Sequence, residues 1–125
     1  MLFRSVRDRA GVKPLYYYND SESFMFASEL KAFHAYPKFK KEKNLDALPY
    51  YFQFGYIPSP HTIFKNSYKL PAGSYMEYDI ETLTYQIKSY WSIDEAYKRE
   101  KFDKSEKEIL EEDRKSTRLN SSHRL

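Results

Sequence analysis

Arg7-Asp8-Arg9-Ala10-Gly11-Val12-Lys13-Pro14-Leu15-Tyr16-Tyr17 is the stretch on which the reading of this chain turns. It opens as a loop and closes as a strand. Gly11 can take positive φ without a Cβ penalty, Pro14 fixes φ at the re-entry, and the aromatic run that follows suits a pleated, half-buried surface. Before it, Leu2-Phe3-Arg4-Ser5-Val6 reads as a strand close to the start of the chain. After it, residues 15–18 form a second strand, 19–23 a turn, and 24–27 a third strand. These three read as an antiparallel meander.

Further out, Ser28 is placed to cap a helix with Glu29 in its first turn, where a carboxylate suits the positive end of the dipole. Leu30 and Phe33 then share a face at i, i+3, and Pro37 stops the helix. Residues 38–43 carry four lysines and read as a solvated connection, with no glycine-rich or helix-start geometry to make a phosphate site. Residues 44–54 look helical, with Leu45, Leu48 and Phe52 on one side. Pro49 would break a helix begun at Leu45, so a start nearer Leu48 with Pro49 in the first turn fits better, and Gly55 is the expected C-terminal cap. Ile57-Pro58-Ser59-Pro60-His61 should run extended.

After Leu70-Pro71-Ala72-Gly73 the chain turns into its cleanest hairpin, 75–79 with 83–88. There Leu83, Tyr85 and Ile87 alternate with Thr84, Gln86 and Lys88, whose face should be wet. Ser105 and Glu108 form an S-x-x-E capping box, so a helix should start there. The charged stretch before it reads as a linker; a helix from Ser92, where Glu95 completes the same box, is the competing reading.

Composition narrows the function classes. The 125 residues fit one domain, and 41% apolar residues with 18% aromatics can fill one core. No apolar run approaches the ~20 residues that span a bilayer, and no signal-peptide pattern opens the chain, so neither a membrane partner nor an exported product is expected. The chain has no cysteine, which removes disulfides, thiolate metal sites and a cysteine nucleophile from the residues present; a cytoplasmic setting is compatible with this. The net charge of +3 invites a nucleic-acid reading, but residues 1–112 are balanced. The excess sits in 113–125, where Arg114, Lys115, Arg118 and Arg124 face the single acid Asp113, so no nucleic-acid partner is expected.

Candidate chemistry is sparse. His34 and His61 show no metal-ligand spacing and read as packing or surface residues. Ser28 lacks a G-x-S-x-G setting, so capping outweighs a nucleophile role. Asp8, between Arg7 and Arg9, could act as a base, but ordering its loop is the stronger reading. Tyr16, Tyr17 and Tyr18 could stack a base or a sugar; in an alternating strand they should divide between core and surface. Gly11, Gly55 and Gly73 are isolated and cannot cradle a phosphate.

The order of several motifs carries a resemblance. R-D-x-x-G-x-x-P-L at 7–15 is followed by Ala27-Ser28-Glu29-Leu30-Lys31-Ala32. Then come Gly55-Tyr56-Ile57-Pro58-Ser59-Pro60 with Thr62-Ile63-Phe64, Leu70-Pro71-Ala72-Gly73, and Tyr90-Trp91. From about Leu2 to Glu112 the chain resembles glutamine-hydrolysing asparagine synthetases of the class II glutamine amidotransferase family, with Ala10 and Pro49 as modest departures. The resemblance implies an α+β fold: part of an N-terminal-nucleophile-type glutaminase, antiparallel sheets with flanking helices, truncated at both ends. It implies a parent that uses glutamine, aspartate and ATP with Mg to make asparagine, the ammonia coming from a terminal cysteine's attack on glutamine. A relative making another amide, a ring-closing synthetase, or a non-catalytic aromatic β-rich binding module are the alternatives. The glutamine site and the pyrophosphate loop of the family would both lie outside these residues. No catalytic, cofactor-binding or metal residue is therefore expected in this chain. The expected organisation is the C-terminal part of a glutaminase domain at 1–92, a linker at 93–104 and the start of the synthetase domain's first helix at 105–112. Residues 113–125, Asp113-Arg114-Lys115-Ser116-Thr117-Arg118-Leu119-Asn120 and beyond, resemble a translated sequencing adapter and are expected to be a non-native tail.

Overall fold

The computed structural model describes residues 1–98 and 105–121, and its six strands fall into two antiparallel sheets. One holds β1 (Leu2–Val6), β5 (Ser74–Asp79) and β6 (Thr84–Ser89) in the order β1-β5-β6. The other holds β2 (Tyr16–Asn19), β3 (Phe24–Ala27) and β4 (Ser67–Lys69) in the order β3-β2-β4. The fold is thus α+β with antiparallel sheets and a few helices, consistent with a glutaminase of the N-terminal-nucleophile type.

The expected meander is corrected. β2 and β3 pair as adjacent strands, Tyr17 opposite Phe26, but β1 pairs with β5, Phe3 opposite Tyr78 and Ser5 opposite Met76. The loop of residues 7–15 carries the chain from one sheet to the other, so sequence neighbours β1 and β2 end in different layers. Strand alternation then aims both inner faces at each other. Rings meet across the layers: Phe3 stacks on Phe26 at 4.7 Å, Phe24 on Tyr78 at 4.0 Å, and Tyr17 meets Tyr85 edge-on at 5.5 Å. Such pairs add about 0.5–1.5 kcal/mol each beyond the area they bury.

β2 is apolar on both faces. Tyr17 joins Leu70 and Met76 between the sheets, while Tyr18, on the opposite face, packs with Phe33 and Phe39. The expected division of the tyrosines between core and surface gives way to two cores, because a third layer covers the outer face of this sheet. That layer is a 3-10 helix, Leu30–Ala35, and the loop after it. Phe39, inside the lysine-rich loop, turns inward and is buried against Tyr18, Phe33 and Phe64. The helix begins without the expected Ser28 cap: Glu29 holds the N-cap position in extended geometry, with no side-chain cap bond.

Pro49 and Gly55 behave as expected. A short 3-10 turn, Leu45–Ala47, precedes α1 (Leu48–Phe54), which has Pro49 in its first turn. Gly55 closes α1 at φ 75°, its N–H on the Tyr51 carbonyl at 2.8 Å. The anticipated buried face is absent, however: no residue of α1 is buried, and Leu45 and Phe52 are exposed. Ser59–Pro60 is a cis peptide.

The hairpin forms with β5 and β6 in the register Met76–Ile87 and Tyr78–Tyr85, and Leu83 sits in the connecting turn at φ 55°. Within that stretch, α2 (Ile93–Lys98) is helical, as the Ser92 reading expected, its start held by the Glu95 N–H on Ser92 Oγ at 3.2 Å. The rest of that stretch, 99–104, and residues 122–125 lie outside the described residues. α3 (Glu106–Ser121) starts at the Ser105–Glu108 box, with Glu108 Oε2 accepting from the Ser105 N–H at 2.9 Å and its hydroxyl at 2.8 Å. It continues well past residue 112 despite the lapse in apolar period. An acidic first turn and the Glu111–Lys115 pair, 3.8 Å apart, support the helix locally, and residues 106–115 are all exposed.

Candidate functional site

The densest polar construction is the loop that crosses between the sheets. Arg7 leaves β1 with its guanidinium turned back over the loop. Nε donates to the Lys13 carbonyl at 3.1 Å, Nη2 to that of Gly11 at 2.9 Å, and Nη1 to that of Leu70 at 2.5 Å. One rigid fork thus fixes two turns of its own loop and the end of β4 from the other sheet. Its own backbone is held as well, the N–H on Ser74 O at 2.9 Å and the carbonyl accepting from Tyr90 Oη at 2.8 Å.

Asp8 closes the loop from the other side. Its two carboxylate oxygens accept the Val12 and Lys13 N–H groups at 3.0 and 3.2 Å, and its carbonyl accepts from Gly11 and Gly73. Those amide bonds, Val12 first, hold the carboxyl below its ordinary value of 3.8. A general base needs the opposite arrangement, a raised pKa and a free lone pair toward substrate. Asp8 therefore orders the loop.

The two glycines here are required. A Cβ on Gly11, at φ 66°, would lie 2.9 Å from the Ala72 methyl and from Arg7 Nη2. On Gly73, at φ 63°, it would lie 2.4 Å from the Trp91 carbonyl oxygen, because the Tyr90 and Trp91 N–H groups both bond to Gly73 O. Arg7, Asp8, Gly73, Tyr90 and Trp91, drawn from 85 positions of sequence, meet at one junction. The sequence reading singled out Asp8 but not the reach of Arg7; its position next to a Gly-Pro loop was the available signal.

Lys69 extends the same region. It is half-buried, its Nζ donates to the Ile57 carbonyl, and its pKa is lowered by burial and then by the nearby Arg7 charge. Thr62, fully buried, accepts the Phe64 N–H at 3.2 Å and directs its hydroxyl at the Ser67 carbonyl, 2.9 Å away. Both residues tie the proline-rich segment to β4.

The other residues weighed for chemistry lie apart. His34 packs against Phe39 and Phe64, and His61 stacks on Tyr50 at 5.6 Å with the rings nearly parallel. Tyr18 Oη donates to Asp20 Oδ2 at 2.7 Å, and burial followed by this bond pushes the phenol up to about 12. Asp20 also accepts the Glu22 and Ser23 N–H groups and pairs with Lys40, which holds its carboxyl at about 2, the Tyr18 bond contributing most. A groove of about 450 Å³ runs beside this turn, but its one buried acid is already committed. Among the described residues no group of three His, Asp or Glu side chains converges on a metal-sized site, and no glycine-rich turn offers amides to a phosphate. Nucleophile, base and oxyanion donor do not come together here; the arrangement is a scaffold junction.

Residues 2–91 match the glutamine amidotransferase domain family. A Methanocaldococcus jannaschii protein provisionally named glutamine-hydrolysing asparagine synthetase 2 is 41% identical over 111 residues, 87% of this chain and 21% of its own length. Glutamine-hydrolysing asparagine synthetases 2 and 3 of Bacillus subtilis are 34% and 32% identical over 100 and 103 residues, 76% and 82% of this chain. The chain spans 13% and 16% of those two relatives. With 90 of its 125 residues inside one family match, the chain belongs to the glutamine amidotransferase domain family.

Proposed function

We propose that this chain is the C-terminal part of the glutaminase domain, residues 1–92, of a glutamine-hydrolysing asparagine synthetase, joined through 93–104 to the start of a synthetase domain at 105–112. The parent enzyme hydrolyses glutamine and uses the ammonia, with ATP, to convert aspartate to asparagine in the cytoplasm. The observation that carries this is the 41% identity over 111 residues to a relative of that name. Residues of this chain supply none of the reacting groups. Glutamine hydrolysis needs an activated nucleophile, and the sequence contains no thiol. Among the described residues no three His, Asp or Glu side chains converge to hold Mg. The contribution of this chain is positional: the Arg7–Asp8 loop locks the two sheets in register, and a sheet out of register by one residue presents the wrong faces throughout.

A chimera tests the reading. The part of this chain that aligns with the Methanocaldococcus relative replaces the corresponding segment of that protein, and glutamine-dependent asparagine formation is measured. Retained activity within about tenfold of the parent is expected. A chimera that folds and makes asparagine from free ammonia but not from glutamine would locate the fault in this segment and defeat the assignment. The chain alone should release no ammonia from glutamine above a boiled control.

A further inference from the structure

Arg7 and Lys69 are two cations that stand close together at the crossing loop with no acid to balance them. Arg7 is partly buried, and it donates to the carbonyls of Lys13, Gly11 and Leu70, all of them uncharged. Lys69 precedes Leu70 at the end of β4 and is also partly buried, with its Nζ on the Ile57 carbonyl. Burial, and then the Arg7 charge, lower its pKa, so the two charges are within range of each other. Among the described residues neither joins an ion pair, whereas Arg4, Lys40, Lys65 and Lys88 each do. Asp8, the acid of the same loop, has both carboxylate oxygens on the Val12 and Lys13 amides. Charges drawn out of water are ordinarily paired, and two of one sign repel. A guanidinium carries five N–H donors and an ammonium three, so both keep N–H groups beyond these protein contacts.

We propose that Arg7 and Lys69 form a carboxylate-binding site, with one carboxylate group bridging the guanidinium and the ammonium. A carboxylate has two oxygens, one for each cation, and bonds of this kind are about twice as strong as those between neutral groups. Partial burial selects the charge of the guest. The cost of stripping water from an ion rises with the square of its charge, which favours a singly charged carboxylate over a phosphate dianion. A bridging carboxylate joins three parts of the fold: the crossing loop through Arg7, β4 through Lys69, and the proline-rich segment through the Ile57 carbonyl. Two sources share this chemistry. One is an Asp or Glu side chain from another part of the parent polypeptide, a source that rests on the parentage proposed above. The other is a free small carboxylate.

Sodium acetate is the probe, titrated into the full chain at constant ionic strength against chloride, with phosphate as a second anion. A site of about 10 mM affinity should raise the melting temperature by about 4–8 °C at about 100 mM acetate. The rise should vanish in Lys69→Gln and persist in Lys65→Gln, whose lysine is exposed and paired with Glu42. No rise beyond that in chloride, a rise that survives Lys69→Gln, or a larger rise with phosphate would each overturn the site. Carbon-13 dimethylation of the lysines gives a second readout on the unmutated chain, the Lys69 signal being assigned by its absence from Lys69→Arg. Its titration midpoint should climb with acetate. If Lys69→Gln fails to fold, this signal decides, and a midpoint indifferent to acetate defeats the proposal. The same signal in the chimera separates the sources. A midpoint already raised before acetate is added identifies a side chain of the parent, and one that climbs only with acetate identifies a free ligand; one that does neither counts against the site. An inactive chimera bears on the parentage and leaves the acetate result on the chain alone in force.

Discussion

Arg7 makes three charge-assisted bonds to carbonyls, one of them on a residue 63 positions away. A lysine at this position can satisfy one carbonyl and leaves the others without donors. Arg7→Lys should therefore cost about 2–4 kcal/mol in urea denaturation, more than the loss of any exposed ion pair. Acid should act through the depressed carboxyls, Asp8 and Asp20 among them. Both carboxyls are depressed, Asp8 by its loop amides and Asp20, to about 2, by Tyr18 and the turn amides. A depressed carboxyl contributes stability above its unfolded value near 4 and loses it as pH falls through the folded value. The melting temperature should hold from neutrality down to about pH 4 and fall between there and about pH 2. In Tyr18→Phe the Asp20 share of that acid loss should shrink, visible as a shallower melting-temperature profile over the same interval. An unchanged profile in Tyr18→Phe would mean that the turn amides alone set the Asp20 charge.

At the level of elements, two glycines with similar dihedrals separate local strain from crowding. Gly55→Ala pays only for a left-handed backbone, about 1–2 kcal/mol. Gly73→Ala has the same strain and also drives a methyl into the Trp91 carbonyl, so it should cost about 3 kcal/mol or more and loosen the β5–β6 hairpin from the crossing loop. Comparable melting temperatures for the two variants would refute the crowding argument. The same contrast explains what was legible in the sequence. The hairpin, the Pro49 entry, the Gly55 exit and the ordering role of Asp8 all rest on period, punctuation or neighbours within a few residues. Strand partnership does not. Nothing local to Leu2-Phe3-Arg4-Ser5-Val6 says that its mate lies at 75–79 and not at 16–19. Phe39 was hidden for a related reason: four lysines dominate its segment, and its burial depends on a sheet face built elsewhere. Arg7 was visible as a residue but its reach was not, since a fork that spans two sheets has no signature in spacing.

The whole molecule divides unevenly. The sandwich and its covering layer hold the buried side chains, while residues 105–115 are all exposed. Deleting 113–125 should leave the melting temperature of the remainder unchanged within error, whereas a loss of several degrees would show those residues to be integrated in the fold. The strand order has one more consequence, for synthesis. β1 is made before its hydrogen-bonding partner, which ends at Asp79. At about 5–20 residues per second a ribosome takes about 4–15 s to go from one to the other. Through that interval the nascent chain can close β2 on β3, which lie side by side, but β1 lacks its β5 partner. β1 thus waits on β5, and a chaperone that holds emerging apolar strands should stay on β1 until the β5 residues have cleared the exit tunnel.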